Sequence, residues 1–257
     1  MKIIRGVHAA YTFVIFTILF ILFFPLFIVP IIFKSQHHLV GVINRWWARS
    51  FLTLSFFPFK TEFRFAPKKG QSYVFCPNHF SYLDIPTMGL NKVNTIFVGK
   101  NDMEKIPLFG FMYSKLHITV DRNSLKSRYT TVLKSKEAVD EGKSLVIFPE
   151  GGIVTSSPPQ MAKFKDGAFR IAIEKQIPII PVTIPYNWII LPDSTLLPKR
   201  LLMTTIYHEP IETKGLSMSD VGMLKQKTFD TINSELKVQL EKSEVNKYNN
   251  FQVAVDN

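Results

Sequence analysis

The chain is poor in cysteine, and its first sixty residues contain no acid. Cys76 is the one cysteine among 257 residues. This excludes an internal disulfide framework and any CxxC redox or metal site. It also suits a cytosol-facing chain. Only 20% of residues are charged while 46% are hydrophobic, which excludes low complexity and global disorder. No Gly-x-Ser-x-Gly elbow is present to supply a serine nucleophile. No two histidines stand at i and i+4, so the tightest metal-ligand spacing is missing. No internal repeat is visible. The length suits one ordinary domain plus an appendage.

What is present is positive charge, unevenly placed. Lys and Arg number 31 against 20 Asp and Glu, a net +11, which calls for an anionic partner. Residues 1–60 hold Lys2, Arg5, Lys34, Arg45, Arg49 and Lys60, and the first acid is Glu62. Beyond residue 60 the balance is 25 basic to 20 acidic. The acids there are interleaved and no binding motif accompanies them, which argues against nucleic acid.

The same N-terminal stretch carries 11 of the 23 phenylalanines, and 25 residues at 9–33 are uncharged. As a helix that run would be roughly 37 Å long, enough to cross a hydrocarbon core. A cleaved signal peptide fits poorly, because the run is too long and no small-residue cleavage site follows. Pro25 and Pro30 each remove a backbone donor and disfavour an unbroken helix. Basic residues flank both ends, so both ends want the same side of a membrane. Farther on, Ile43, Trp46 or Trp47, Phe51 and Leu54 share one side at helical spacing. Paired tryptophans suit the headgroup boundary and the arginines suit anionic headgroups. The expectation is a helix pair over 1–60 dipping into the cytoplasmic leaflet, with a single true span as the alternative.

From residue 61 to about 245 the pattern is α/β. Short apolar runs at 62–65, 73–76, 95–98, 118–120, 145–148, 179–184 and near 201–207 read as strands. Polar stretches at 128–141 and 168–175 read as helices, with Gly142 as a stop signal after the first. This alternation predicts a mostly parallel central sheet flanked by helices. Residues 219–244 read as an amphipathic helix, and 246–257 as a polar tail.

Chemistry-bearing residues fall in four clusters. Asn78-His79-Phe80-Ser81-Tyr82-Leu83-Asp84 follows a strand. Histidine suits a general base near neutral pH, and a carboxylate can fix its tautomer. Residues i and i+5 do not share a helix face, so His79 is expected on the loop and Asp84 in the first helical turn, with Ser81 as N-cap. Spacing alone fits equally well an exposed loop histidine beside an unrelated acid. Phe148-Pro149-Glu150-Gly151-Gly152 ends an apolar strand, where ligands of open α/β sheets bind. Its glycines allow close backbone approach, and their N–H groups suit an anion or oxyanion. Lys100, Asp121-Arg122 and Lys163-Phe164-Lys165-Asp166-Gly167 could hold phosphate or form a solvated face. Ile177-Pro178-Ile179-Ile180-Pro181-Val182 reads as a buried strand with prolines at its edge.

In this order and spacing, the four clusters resemble the glycerolipid acyltransferase family, nearest to its bacterial-type 1-acyl-sn-glycerol-3-phosphate acyltransferase branch. The resemblance covers roughly residues 70–190, and the apolar N-terminus is similar to membrane-embedding segments of that family. It implies acyl transfer from a thioester donor, acyl-CoA or acyl carrier protein, to the hydroxyl of lysophosphatidic acid. His79 would deprotonate that hydroxyl and Asp84 would orient His79. Asn78, Lys100, Arg122, Glu150, Gly151, Gly152, Lys163 and Lys165 would bind substrate. No metal or tightly held cofactor is implied, and the partners are membrane phospholipids and the two substrates. The site would face the cytoplasm from a membrane-bound protein.

Two departures bear on the acceptor. The family's Glu-Gly-Thr-Arg appears here as Glu150-Gly151-Gly152-Ile153, so an arginine is missing and Lys163 or Lys165 is expected in its place. Leu116 and Thr119 stand where Gly and Phe usually precede Asp121-Arg122. The rival readings are a metal-dependent hydrolase using His79, Asp84 and a distant His117 or Asp121, and a non-catalytic lipid-binding protein. Within the enzyme class, the alternative is another acceptor: a different lysophospholipid, glycerol 3-phosphate or an aminolipid. His117, His37 and His38 are expected to have no catalytic part.

Overall fold

A computed structural model describes residues 2–155 and 157–241. The polar tail expected at 246–257 lies outside the described residues.

Seven strands form one sheet in the order β1-β7-β6-β2-β5-β3-β4. They are β1 Phe59–Phe63, β2 Val74–Pro77, β3 Thr95–Lys100, β4 Ile118–Val120, β5 Ser144–Ile147, β6 Ile179–Thr183 and β7 Met203–Tyr207. Every pairing is parallel except β6 with β7. Each expected strand is present, and the first begins three residues early. The central strands β2 and β6 are buried along their whole length. This is why they read as continuous apolar runs rather than alternating ones. Pro181 sits in the middle of β6, not at its edge. It lies between the Ile179–Ile211 bridge and the Val182–Tyr207 pair, where its missing N–H breaks no ladder bond to β7.

Helices cover both faces. They are α1 Lys2–Ile32, α2 Leu39–Leu54, α3 Asp84–Gly89, α4 Phe109–Leu116, α5 Leu125–Asp140, α6 Gly167–Lys175, α7 Asn187–Ile190 and α8 Val221–Glu241. Successive strand residues face opposite ways. Val74 and Cys76 of β2 therefore join α5, α6 and α8 in one core through Ala138, Phe169 and Ile232. Tyr73 and Phe75 join Met88 of α3 and Tyr113 of α4 in the other. Arg64, just past β1, clamps α8 through both oxygens of Glu235, at 2.7 and 3.0 Å.

The helix pair forms, with one correction. α1 runs unbroken through Pro25 and Pro30. Each proline removes a single intrahelical donor, and packing offsets the loss. Leu19, Phe20, Phe27 and Pro30 itself are buried. Phe16 meets Trp47 and Phe51 of α2 edge-on, and Phe20 meets Phe109 of α4 at 5.6 Å. The helix rests on the domain along most of its length, since the Arg5 guanidinium donates to the carbonyls of Leu197 and Pro198.

Candidate active site

β2 ends at Pro77, and the chain turns away from the carboxyl edge of the sheet into a buried loop. His79 lies on that loop and Asp84 opens α3. Asp84 is fully buried. Its Oδ2 accepts the His79 Nδ1–H at 3.0 Å and the backbone N–H groups of Phe80 at 2.8 Å and Ser81 at 2.9 Å. The carboxylate therefore gathers the N–H groups of the loop that carries His79, and α3 has Leu83 rather than Ser81 at its N-cap. Ser81 instead donates its hydroxyl to the Leu191 carbonyl at 2.9 Å. Because Asp84 is an acceptor, Nδ1 carries the proton and Nε2 is left as the basic nitrogen. The His79 ring stacks on Phe148, with centroids 3.9 Å apart.

Two further groups hold this pair, and both come from far along the chain. Asn187, at the start of α7, donates its amide to Asp84 Oδ1 at 2.9 Å. Sequence reasoning missed it; its only signal is a lone amide in the apolar stretch from Ile184 to Ile190. Glu150 is also buried. Its Oε1 accepts the His79 backbone N–H at 2.7 Å and its Oε2 accepts that of Ala162 at 2.8 Å. It ties the His79 loop to the loop after β5, and both its oxygens are engaged within the chain. Burial pushes its carboxyl up to about 7; the two N–H donors oppose the shift and the Asp84 carboxylate adds to it.

Asn78 is likewise engaged internally. It donates to the Ile184 carbonyl at 3.0 Å and accepts from the Ile184 N–H at 2.8 Å. The geometry makes it a staple between β2 and the end of β6, with both its amide nitrogen and its amide oxygen engaged.

Arg122, Gly151, Gly152 and Lys165 do converge. Both glycines have positive φ, 83° and 147°. A Cβ at Gly151 would stand 2.5 Å from Lys165 Nζ, and one at Gly152 would stand 2.8 Å from Arg122 Nη1. The two cations approach the turn closely, and its positive φ values are what favour glycine at both positions. Lys165 thus stands against the turn where the family's arginine is absent. Burial pulls the Arg122 guanidinium below its ordinary value, and among the described residues no carboxylate forms an ion pair with it. The Gly151 N–H closes a turn onto the Phe148 carbonyl at 3.0 Å, so it is not offered to a ligand. Lys163 is exposed. Lys100 ends β3 at the same edge of the sheet but is paired with Asp102.

The structure does not bring His117 to this site. His117 precedes β4 and lies at the opposite edge of the sheet, buried, with Nδ1 accepting the Phe97 N–H at 3.3 Å. Burial holds its imidazole at about 3, so it stays neutral. Cys76 is buried in β2, and burial pushes its thiol up.

Comparison with known proteins points the same way. The acyltransferase family model matches residues 60–185. An uncharacterized acyltransferase of Schizosaccharomyces pombe is 29% identical over 188 residues, 72% of this chain and 67% of the relative. The 1-acyl-sn-glycerol-3-phosphate acyltransferase of Saccharomyces cerevisiae is 29% identical, covering 64% of this chain and 55% of its own. That of Haemophilus influenzae is 30% identical, covering 58% and 62%. The matches span 55–67% of the lengths of these three relatives. The crystal structure of the 1-acyl-sn-glycerophosphate acyltransferase PlsC from Thermotoga maritima superposes with a TM-score of 0.77 at 20% identity, covering 94% of this chain and 99% of that one. That likeness establishes the fold.

Proposed function

We infer that the chain is an acyltransferase of the family whose model matches residues 60–185. The reading is transfer of a fatty acyl group from acyl-CoA or acyl carrier protein to the sn-2 hydroxyl of 1-acyl-sn-glycerol 3-phosphate, giving phosphatidic acid for phospholipid biosynthesis. The observation that carries it is the buried His79–Asp84 pair at 3.0 Å beside a glycine turn flanked by Arg122 and Lys165. The names of the yeast and Haemophilus relatives support the acceptor.

The chemistry follows from these groups. His79 Nε2 takes the proton of the acceptor hydroxyl as its oxygen attacks the thioester carbonyl. Asp84 stabilises the imidazolium that forms. The tetrahedral intermediate collapses, the carbon–sulfur bond breaks, and the thiolate recovers the proton from His79. A thiolate leaves readily, so no covalent acyl-enzyme is needed. Arg122 and Lys165 hold the acceptor phosphate.

Membrane attachment through α1 completes the reading. At 31 residues the helix would be about 46 Å long. A transverse span would carry most of that length away from the domain, whereas contacts run from Arg5 to Pro30. Ile3, Val7, Phe13, Leu22 and Ile32 are exposed on its outer side. With Lys2 and Lys34 at the two ends, these features favour a helix lying in the cytoplasmic leaflet with its outer face in hydrocarbon.

The test is phosphatidate formation by detergent-purified protein from 1-acylglycerol 3-phosphate and either thioester. Product is expected, and Arg122→Ala should raise KM about tenfold for that acceptor but not for monoacylglycerol, reflecting one lost charge-assisted bond. No phosphatidate from folded protein with either donor overturns the reading. Equal KM effects on both acceptors remove Arg122 from the phosphate site.

Asn187→Leu should lower kcat about tenfold or more with KM little changed, because Asp84 Oδ1 loses its amide donor in a buried site. The acid limb of the kcat/KM profile should move to higher pH, since a less solvated carboxylate holds the imidazolium proton more tightly. A kcat loss with an unmoved profile would mean that Asn187 only supports the fold.

A further inference from the structure

Among the described residues, four other than glycine have a positive φ. Gln176 closes α6 and Phe56 closes α2, each at a helix end where that backbone is ordinary and a glycine or a polar residue is usual. Phe56 (φ 57°), Leu108 (φ 59°) and Leu196 (φ 52°) are large and apolar instead. They are 63%, 54% and 49% exposed. Glycine would adopt a positive φ at less cost at all three, and Leu108, at ψ −50° in a tight turn closed by the Phe109 N–H on the Pro107 carbonyl, lies outside the region that other residues enter. Strained backbone that turns an apolar side chain toward water gains nothing in a protein surrounded by water alone.

All three share one end of the molecule. Phe56 lies between α2 and β1, and β1 enters the sheet from the edge where β2 and β6 leave it. Leu108 lies between β3 and α4, and Leu196 between α7 and β7, again at the carboxyl edge that carries His79. Each is also joined to α1. The Tyr11 ring stacks on Phe56 at 5.9 Å, Phe20 packs against Phe109 beside Leu108, and the Arg5 guanidinium donates to the Leu197 carbonyl at 2.6 Å next to Leu196. Phe56 thus adjoins the exposed side of α1 through Tyr11, and Leu108 and Leu196 sit beside residues that pack on the helix. The exposed charges around them are mixed, Lys105 and Arg200 against Glu104 and Asp193, with Lys105 paired to Asp102 at 3.4 Å. Apolar tips ringed by charges of both signs suit the boundary between hydrocarbon and headgroups.

We propose that Phe56, Leu108 and Leu196 are lipid anchors that insert into the leaflet around the His79 site. The site would then open onto the lipid surface, where an amphiphilic acceptor can enter without crossing water. The proposal rests on the reading of α1 as lying in one leaflet, and the test separates the two.

The test uses the full chain in vesicles of three parts phosphatidylcholine to one part phosphatidylglycerol. Single cysteines at positions 56, 108 and 196 carry an environment-sensitive fluorophore, and brominated lipids serve as quencher. Cys76 stays unlabelled because it is buried and its thiol is held protonated. Position 13 on α1 and position 238 on α8 are exposed reference sites. Probes at 56, 108 and 196 should be quenched like the one at 13 and unlike the one at 238. Quenching at 13 but not at the three tips overturns the proposal and leaves the membrane reading standing. Quenching at none overturns both. Leu108→Gly and Leu196→Asn place residues that accept a positive φ, and each should weaken vesicle partitioning about tenfold at unchanged thermal stability. Unchanged partitioning by both variants would also overturn the proposal.

Discussion

His79→Ala is expected to lower kcat/KM for acyl transfer about a thousandfold, the scale of a lost general base, in a protein that remains folded. The expectation follows from how the ring is held. One nitrogen is committed to a buried carboxylate at 3.0 Å and one ring face is covered by Phe148. The fold therefore presents a single nitrogen in a single orientation. The loop itself is held by backbone N–H groups of Phe80 and Ser81 on Asp84, and these do not depend on the imidazole. Asp84→Asn should be as damaging to activity and should also destabilise the protein. An amide would turn either a donor toward two backbone N–H donors or an acceptor that lacks the carboxylate's charge. Circular dichroism melts alongside initial rates separate the two variants. Retention of more than about a tenth of wild-type activity by His79→Ala would remove it as the base.

The second large effect concerns Glu150 and is a matter of pH. Its carboxyl titrates at about 7 in the folded chain against 4.5 for the ordinary group, chiefly because it is buried. The folded state thus holds this proton more tightly than the unfolded state. The contribution of this group to stability is present below the ordinary value and is lost as pH rises from 4.5 to about 7, at most about 3 kcal/mol. Activity should move the other way. Protonation below about 7 takes an acceptor from either the His79 or the Ala162 N–H, and the loop that carries the base loosens. Glu150→Gln cannot ionise and should flatten the stability profile between about pH 5 and about pH 7. It should also lose about tenfold or more in kcat, because its amide faces one of two backbone donors. Denaturant unfolding of both proteins across that range is the measurement. An unchanged slope in the variant would assign the pH dependence to another group.

The site shows which kinds of information a sequence carries. His79 on a loop, Asp84 in the first helical turn and two glycines at a strand end were all legible, because each is a local relation within a few residues. The lysine at the turn could be anticipated only as Lys163 or Lys165, since sequence order does not say which of two exposed neighbours lies against Gly151. The family resemblance implied that Glu150 and Asn78 bind substrate. In the folded chain each has its polar atoms engaged by backbone groups, and their part is to hold the base loop in place. Asn187 was invisible, since one amide in an apolar run has no periodicity to reveal it.

The sequence by itself determined the seven strands, the helices α5, α6 and α8 and the apolar N-terminal pair, while α4 and α7 went unread. Burial on one or both faces imposes a short-range pattern of apolar residues, and that pattern survives in a one-dimensional reading. Only the tertiary structure decided which polar groups meet. Asp84 reaches its amide across 103 residues and His79 reaches Glu150 across 71. Such contacts form when parallel strands bring distant loops to one edge, and nothing in the local pattern of either loop encodes its partner. The posture of α1 was decided in the same way: composition made it apolar, and packing against the domain chose which face stays outside.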